Sequence, residues 1–157
     1  MYGPKLMAFA ESSQNLVRGP AKRPEWAQLI RLGGDRVAVL FDELRKSVGK
    51  IDGVIERLQY SAEEGRWVVK YSVGGTEFFI VRILPGSLEA VLHLNYSEAE
   101  ILLQSRALRG PLQNAIRARI QEKAEGLMNI PLTDRRALHS FANLVRAKSR
   151  LGREKQW

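Results

Sequence analysis

The chain has 157 residues, a net charge of +8 and no cysteine. This length suits one domain that buries its own core. The lack of cysteine excludes disulfides, thiolate metal sites and cysteine nucleophiles. No apolar run approaches the ~18 residues that a membrane span needs, and the apolar stretch Leu6 to Ala10 is too short for the core of a signal peptide. We therefore expect a cytoplasmic protein with no membrane partner.

The first 23 residues differ from the rest of the chain, because they contain Gly3-Pro4 and Gly19-Pro20 and show little hydrophobic periodicity. They are interpreted as a leader, for which two alternatives stand: disorder, or a path across the domain. We expect a single domain over residues 24–151 and a basic tail over residues 152–157.

Two helices are predicted before any strand. Pro24 favours a helix start, so Glu25–Leu32 is predicted as a short helix that Gly33-Gly34 ends. Asp35 is a suitable N-cap for Arg36–Val48, in which the apolar residues recur at helical spacing.

The middle of the chain predicts three β-strands joined by two tight turns. The strands are Arg66–Val73, Thr76–Leu84 and Leu88–Asn95, and the turns are Gly74-Gly75 and Pro85-Gly86. These strands set the architecture of the domain.

The segment Val54–Tyr60 leaves two alternatives, because its β-branched start favours a strand whereas Glu56-Arg57 is compatible with a helix. We choose a strand, since the turn Glu63-Glu64-Gly65 leads directly into the next one. The sheet is then a four-stranded antiparallel meander.

Three helices are predicted after the sheet, with the short extended segment Leu127–Leu132 before the last of them. They are Glu98 to about Leu108 after a Ser97 cap, Leu112–Ala124, and a final helix from a Thr133 cap to about Leu151. The predicted fold is a single compact α+β domain, in which N-terminal and C-terminal helices pack on the meander.

Two-residue turns fix which side chains share a face of the sheet. They place Tyr71 opposite Phe78 and Arg82 opposite Glu89, which makes one face aliphatic and the other aromatic with polar tips. We predict that the aromatic face holds a small ligand or a partner chain, a second copy of the protein included. Its residues are Trp67, Tyr71, Phe78, Arg82 and His93.

Two alternatives to this hypothesis stay open. In the first, the protein's own helices or its N-terminal segment cover the aromatic face. In the second, a one-residue bulge at the Pro85-Gly86 turn swaps the faces of the third strand.

No motif of catalytic or metal chemistry is present. His93 and His139 are the only histidines and lack the spacing of a zinc site. The carboxylate pair Glu63-Glu64 lies in a predicted turn. The chain also has no glycine-rich phosphate loop and no Gly-x-Ser-x-Gly elbow. We therefore predict no catalytic residue, no metal and no cofactor, and prefer a non-enzymatic binding protein to an enzyme of unknown class.

The positive charge is concentrated in residues 104–157, which carry 12 Lys/Arg and 4 Asp/Glu. On the last predicted helix, five basic side chains fall within about 60° of one another at 100° per residue. Such a stripe suits nucleic acid or another anionic partner, although a solvated face would have the same composition. The stripe consists of Arg135, His139, Arg146, Arg150 and Arg153.

The middle and the end of the chain present a characteristic order of elements. It consists of Glu64-Gly65-Arg66-Trp67, Lys70-Tyr71, Phe78–Leu84, Leu88–Asn95, Ile130-Pro131-Leu132 and the closing helix Ala137–Lys148. Over roughly residues 50–150, this order resembles that of the small bacterial YdhG-like domains and their uncharacterised relatives. It implies a compact α+β domain with helices on an antiparallel sheet, and no agreed reaction. Some of these domains have been likened to frataxin-type iron binders. This chain lacks an acidic ridge, so we transfer the fold and no functional residue.

Overall fold

A computed structural model describes residues 23–105 and 108–154 of the chain, with side chains as far as residue 151. The predicted leader, apart from Arg23, and residues 155–157 of the predicted tail lie outside the described residues. The described part has these elements in chain order: α1 (Trp26–Gly33), α2 (Asp35–Val48), β1 (Val54–Ser61), β2 (Arg66–Val73), β3 (Thr76–Leu84), β4 (Ser87–His93), α3 (Tyr96–Leu103), α4 (Gly110–Gln121), β5 (Leu127–Pro131) and α5 (Arg135–Glu154).

The strands form one antiparallel sheet in the order β1-β2-β3-β4-β5. The predicted α+β class is confirmed, and the ambiguous first segment is a strand. The predicted count of four strands is wrong, because the short extended segment after α4 pairs with β4 as a fifth strand. Met128 and Ile130 alternate into the core there and lie opposite Leu92 and Ala90.

The two hairpin turns have the predicted length, since Val73 lies opposite Thr76 and Arg82 lies opposite Glu89. The prediction that Tyr71 lies opposite Phe78 is wrong. Tyr71 pairs with Phe79 while Ser72 pairs with Glu77, so Phe78 is an extra residue in β3. A one-residue shift moves side chains to the other face of a strand. Because of the bulge, most side chains of β2 share a face with different side chains of β3 and β4 from those predicted.

The five helices in the described part of the chain pack on one side of the sheet. The main core cluster contains residues of every helix, but takes its strand residues from a single face. We call this the helix-covered face. It consists of Leu58, Trp67, Val69, Tyr71, Phe79, Val81, Ile83, Leu88, Ala90, Leu92, Met128 and Ile130.

The junction of α1 and α2 is fixed to the turn between β3 and β4. The Gly86 N–H donates to the Gly33 carbonyl at 3.1 Å. A β-carbon on Gly33 would lie 2.4 Å from Cγ1 of Val37, so only glycine allows the two helices to approach so closely. This contact places the helical hairpin over the middle strands.

The ends of the C-terminal helices differ from the predicted ones. Asn95 rather than Ser97 caps α3, because Asn95 and Glu98 satisfy each other's backbone N–H groups in a capping box. The helix ends at Leu103 instead of about Leu108. Pro111 lies in the first turn of α4, where its missing N–H costs nothing. Asp134 rather than Thr133 accepts a hydrogen bond at the start of α5.

Candidate functional site

The structure separates the five residues of the predicted aromatic face. Trp67 and Tyr71 are 8% and 2% exposed and belong to the core beneath the helices. Arg82 and His93 lie on the opposite face of the sheet, while Phe78 occupies the bulge. The prediction of one aromatic surface is therefore wrong, and its physical cause is the bulge that inverts β2.

The side of the sheet opposite the helices is called the open face. Among the described residues, no helix lies on it, and its side chains mix apolar, cationic, anionic and amide groups. It consists of Ile55, Arg57, Gln59, Val68, Lys70, Ser72, Ile80, Arg82, Glu89, Val91, His93, Leu127, Asn129 and Pro131.

A groove of about 470 Å³ runs over the open face. Val68, Ile80 and Val91 contribute its apolar floor. Val68 and Val91 are each 3% exposed, yet neither belongs to the core cluster beneath the helices. The open face therefore has buried apolar residues of its own, separate from the core beneath the helices.

One wall of the groove is the turn between β1 and β2, which contributes Ser61 to Glu64. An ion pair joins Glu64 to Arg82 in the middle of the sheet, and Arg82 also forms an ion pair with Glu89 on the neighbouring strand. The pairs hold the turn toward the sheet, because Arg82 binds a carboxylate on either side. This contact makes the open face concave at that end.

The opposite end of the groove carries an aromatic and an imidazole ring. His93 is exposed, and no described residue forms a hydrogen bond or ion pair with its ring in this structure. The Phe78 ring lies 5.7 Å from Nζ of Lys148 in a cation–π contact. Lys148 also donates to Glu98 at 2.6 Å. The Phe78 ring is thereby held between the groove and the C-terminal helices.

A second polar cluster lies on the helix-covered side, where Tyr71 is buried while Arg45 and Glu56 are partly exposed. Arg45 donates two hydrogen bonds to Glu56, of 3.1 and 2.8 Å, and the Tyr71 hydroxyl donates to the same carboxylate at 2.8 Å. Arg45 also stacks on the ring of Trp26, at 5.0 Å. Burial, followed by the nearby charge of Glu56, raises the pKa of Tyr71 well above its ordinary value. The cluster is internally satisfied and fastens β1 to α2.

The predicted basic stripe lies along α5, but its members are not equally available. His139 and Arg150 are exposed. Arg135 forms an ion pair with Glu43 of α2 at 2.6 Å, and Arg146 donates to Asn143 at 3.4 Å. Arg153 belongs to α5, but its side chain lies outside the described residues.

Lys70 and the floor residues Val68, Ile80 and Val91 were not predicted from the sequence as one site. A signal for them exists in β2, where the positions that alternate with Trp67 and Tyr71 are Arg66, Val68, Lys70 and Ser72. That alternation marks the polar face of the strand. The bulge at Phe78 has no comparable signal, so the faces of β2 and β3 could not be aligned from the sequence.

The described residues contain neither a metal-binding cluster nor a helix that could span a membrane. No group of three or more acidic or histidine side chains is arranged to hold a metal ion there. Within the same residues, no helix combines the length and apolar character that crossing a bilayer requires.

Comparisons with protein-family models, with curated proteins and with solved structures find no match to this chain. The resemblance to YdhG-like domains therefore stays a prediction.

Proposed function

We propose that the protein is a non-enzymatic binding domain, whose open-face groove takes a small ligand with an apolar body. The observation that carries this proposal is a concave, apolar-floored groove on the side of the sheet that no described helix covers. Its volume of about 470 Å³ lies within the range of small-molecule sites. We keep the predicted cytoplasmic location as part of the proposal, because a chain without cysteine needs no oxidising compartment.

The floor favours an apolar group over water. Val68, Ile80 and Val91 offer no hydrogen-bond partners, so water above them is poorly held and its displacement is favourable. The polar side chains stand around this floor, an arrangement that orients a ligand without catalytic chemistry. A partner chain would need a wider apolar patch, whereas this floor consists of three aliphatic side chains.

The test uses an uncharged fluorescent dye, Nile red, and a carboxylate placed in the floor. Ile80→Glu puts a charge in the middle of the groove. Ile55→Glu is the matched control, because Ile55 is on the open face but is not part of the groove lining. We expect wild type and Ile55→Glu to bind the dye with similar affinity, and Ile80→Glu to bind at least ~10-fold more weakly. Equal binding by both variants, or none by wild type, would contradict the proposal.

The basic side of α5 supports a second candidate function, binding to nucleic acid. Over the 20 residues of α5 the only acidic residue is Glu154, at the end of the helix. The exposed His139 and Arg150 lie on the same side of the helix, away from its buried residues. Cations arranged in this way along a helix are suited to contact successive phosphates.

Salt dependence tests this second candidate. The double variant Arg146→Glu/Arg150→Glu reverses two charges of the stripe, and Arg31→Glu/Lys50→Glu makes the same charge change elsewhere. We expect wild type and the control to retain short duplex DNA or RNA at about 50 mM salt and to release it by about 200 mM. The stripe variant should not bind at either concentration. Equal binding by both variants would exclude the stripe as the contact surface.

A further inference from the structure

We propose that the ligand of the open-face groove is an amphipathic monoanion, whose anionic head lies at Arg57 and Lys70 and whose apolar body lies on Ile80 and Val91. The inference depends on the proposed function, because it names the chemical class of ligand for the same groove. It follows from the order of side chains in the central row of the open face.

That row crosses all five strands, and its chemistry changes from one end to the other. Its members are Arg57, Lys70, Ile80, Val91 and Asn129. Lys70, Ile80 and Val91 line the groove, while Arg57 and Asn129 flank that lining as the cross-strand neighbours of Lys70 and Val91. Two cations are followed by two aliphatic side chains and then by an amide. A ligand laid along the row meets positive charge, then an apolar floor, then a neutral polar group, which is the chemical profile of an amphipathic anion.

The two cations of the row lie directly opposite each other on neighbouring strands. Like charges in this position repel and destabilise an antiparallel pair. Among the described residues, neither Arg57 nor Lys70 forms an ion pair with an acid. Arg82, on the same face, is instead neutralised by carboxylates from two directions. An anion at Arg57 and Lys70 would relieve a repulsion that the protein's own side chains leave uncompensated.

The spacing of the strands sets the size of the ligand. Neighbouring strands lie about 4.8 Å apart, so Val91 is roughly 10 Å from Lys70 along the row. The apolar body is therefore a short alkyl chain or one to two rings. Glu63 and Glu77 line the same groove, Glu77 opposite Ser72, and they disfavour a second negative charge. This is why the proposal specifies a monoanion.

The experiment compares three probes with the same eight-carbon body: octanoate, octanol and octylammonium. Calorimetric titration at low salt should show octanoate binding to wild type about tenfold more tightly than octanol, with octylammonium weakest. Arg57→Gln/Lys70→Gln should lower octanoate affinity to that of octanol and leave octanol affinity unchanged. Arg31→Gln/Lys50→Gln, which removes the same charge outside the groove, should behave as wild type.

A variant that keeps the charge gives an internal check that the protein still folds. Lys70→Arg should retain the preference for octanoate, because the cation stays in the row. Equal affinity of wild type for octanoate and octanol would overturn the anion inference and leave the proposed function intact. Preference for octylammonium would also overturn it, because the carboxylates of Glu63 and Glu77 would then set the charge of the groove. Failure of all three probes to bind would remove both proposals.

Discussion

The two faces of the sheet are built from the same strands and differ in almost every physical respect. The helix-covered face presents hydrophobic side chains at all of its core positions, and five helices bury it. The open face carries charged and aliphatic groups. Among its apolar residues Val68 and Val91 are buried, whereas Ile55 and Leu127 are 47% and 63% exposed. The comparison shows that one side supplies most of the core, while no described helix covers the other. A single extra residue, Phe78, decides which side chains of β2 belong to each face.

The largest expected difference in stability between the two faces concerns two adjacent phenylalanines. Phe79 is 2% exposed, and its ring lies 4.6 Å from that of Tyr71 and 5.0 Å from that of Phe141. Phe79→Ala should lower the free energy of unfolding by about 3–5 kcal/mol, because it opens a cavity in closed packing. Phe78→Ala, at the half-buried bulge, should cost about 1–2 kcal/mol. Urea denaturation measures both, and equal losses would show that the bulge does not separate the two rings.

A smaller effect is expected from two valines in neighbouring strands that are buried on different faces. Val81 is completely buried on the helix-covered face, and Val68 is 3% exposed on the open face. Val81→Ala should cost about 2 kcal/mol, whereas Val68→Ala should cost about 1 kcal/mol because solvent and long side chains can fill the space. Thermal and urea unfolding would compare them. A greater loss from Val68→Ala would mean that the open face is part of the closed core.

The buried Tyr71 hydroxyl gives a prediction that depends on pH. Near neutral pH, Tyr71→Phe should cost about 1 kcal/mol, because Glu56 loses one hydrogen bond but keeps Arg45. Burial raises the pKa of Tyr71 above its ordinary value of 10.0. The unfolded chain therefore loses this proton first as the pH rises, so the tyrosine's contribution to stability is complete below pH 10 and is lost above it.

Urea midpoints at pH 9, 10 and 11 test this sign. The free energy of unfolding of wild type should fall more steeply than that of Tyr71→Phe above pH 10, by up to about 1.4 kcal/mol per pH unit. Other tyrosines and the lysines titrate in both proteins, so their contributions cancel in the difference. Parallel curves would show that the hydroxyl of Tyr71 reaches solvent in the folded state.

The smallest effect concerns the charges of the open face. Arg57→Gln should raise the free energy of unfolding by about 0.2–1 kcal/mol at low salt, since it removes the repulsion of Lys70. The gain should disappear near 1 M salt, where the screening length falls to about 3 Å. Arg31→Gln is the control and should change little. A loss of stability in Arg57→Gln would show that the cation is compensated in the free protein.

Local sequence patterns were sufficient for most of the elements. Alternating β-branched and aromatic residues, with turns at Gly74-Gly75 and Pro85-Gly86, predicted the hairpins correctly. Helical spacing predicted α2 and α5 to within a few residues. The five residues of β5 were too few to predict a strand, because their pairing with β4 depends on residues more than thirty positions away.

The candidate site was predicted only in part. The sequence correctly predicted that His93 and Arg82 share a face of the sheet. It wrongly placed Trp67 and Tyr71 on that same face. A bulge leaves no signal in local β-propensity, because the residues before and after it stay in extended conformation. Whether a bulge stabilises the protein depends on how it packs side chains from different elements against one another. Here the bulge lets Tyr71 and Phe79 stack beneath the helices while the basic residues of β2 face outward.

By itself, the sequence determined the α+β class, the length of the hairpin turns and the position of the basic helix, because these follow from spacing and composition within short segments. Only the tertiary structure decided the fifth strand, the division of aromatic residues between the faces and the cationic end of the groove. Those features depend on pairing and packing between distant segments, and the free energy of such contacts is not encoded in any one of the segments.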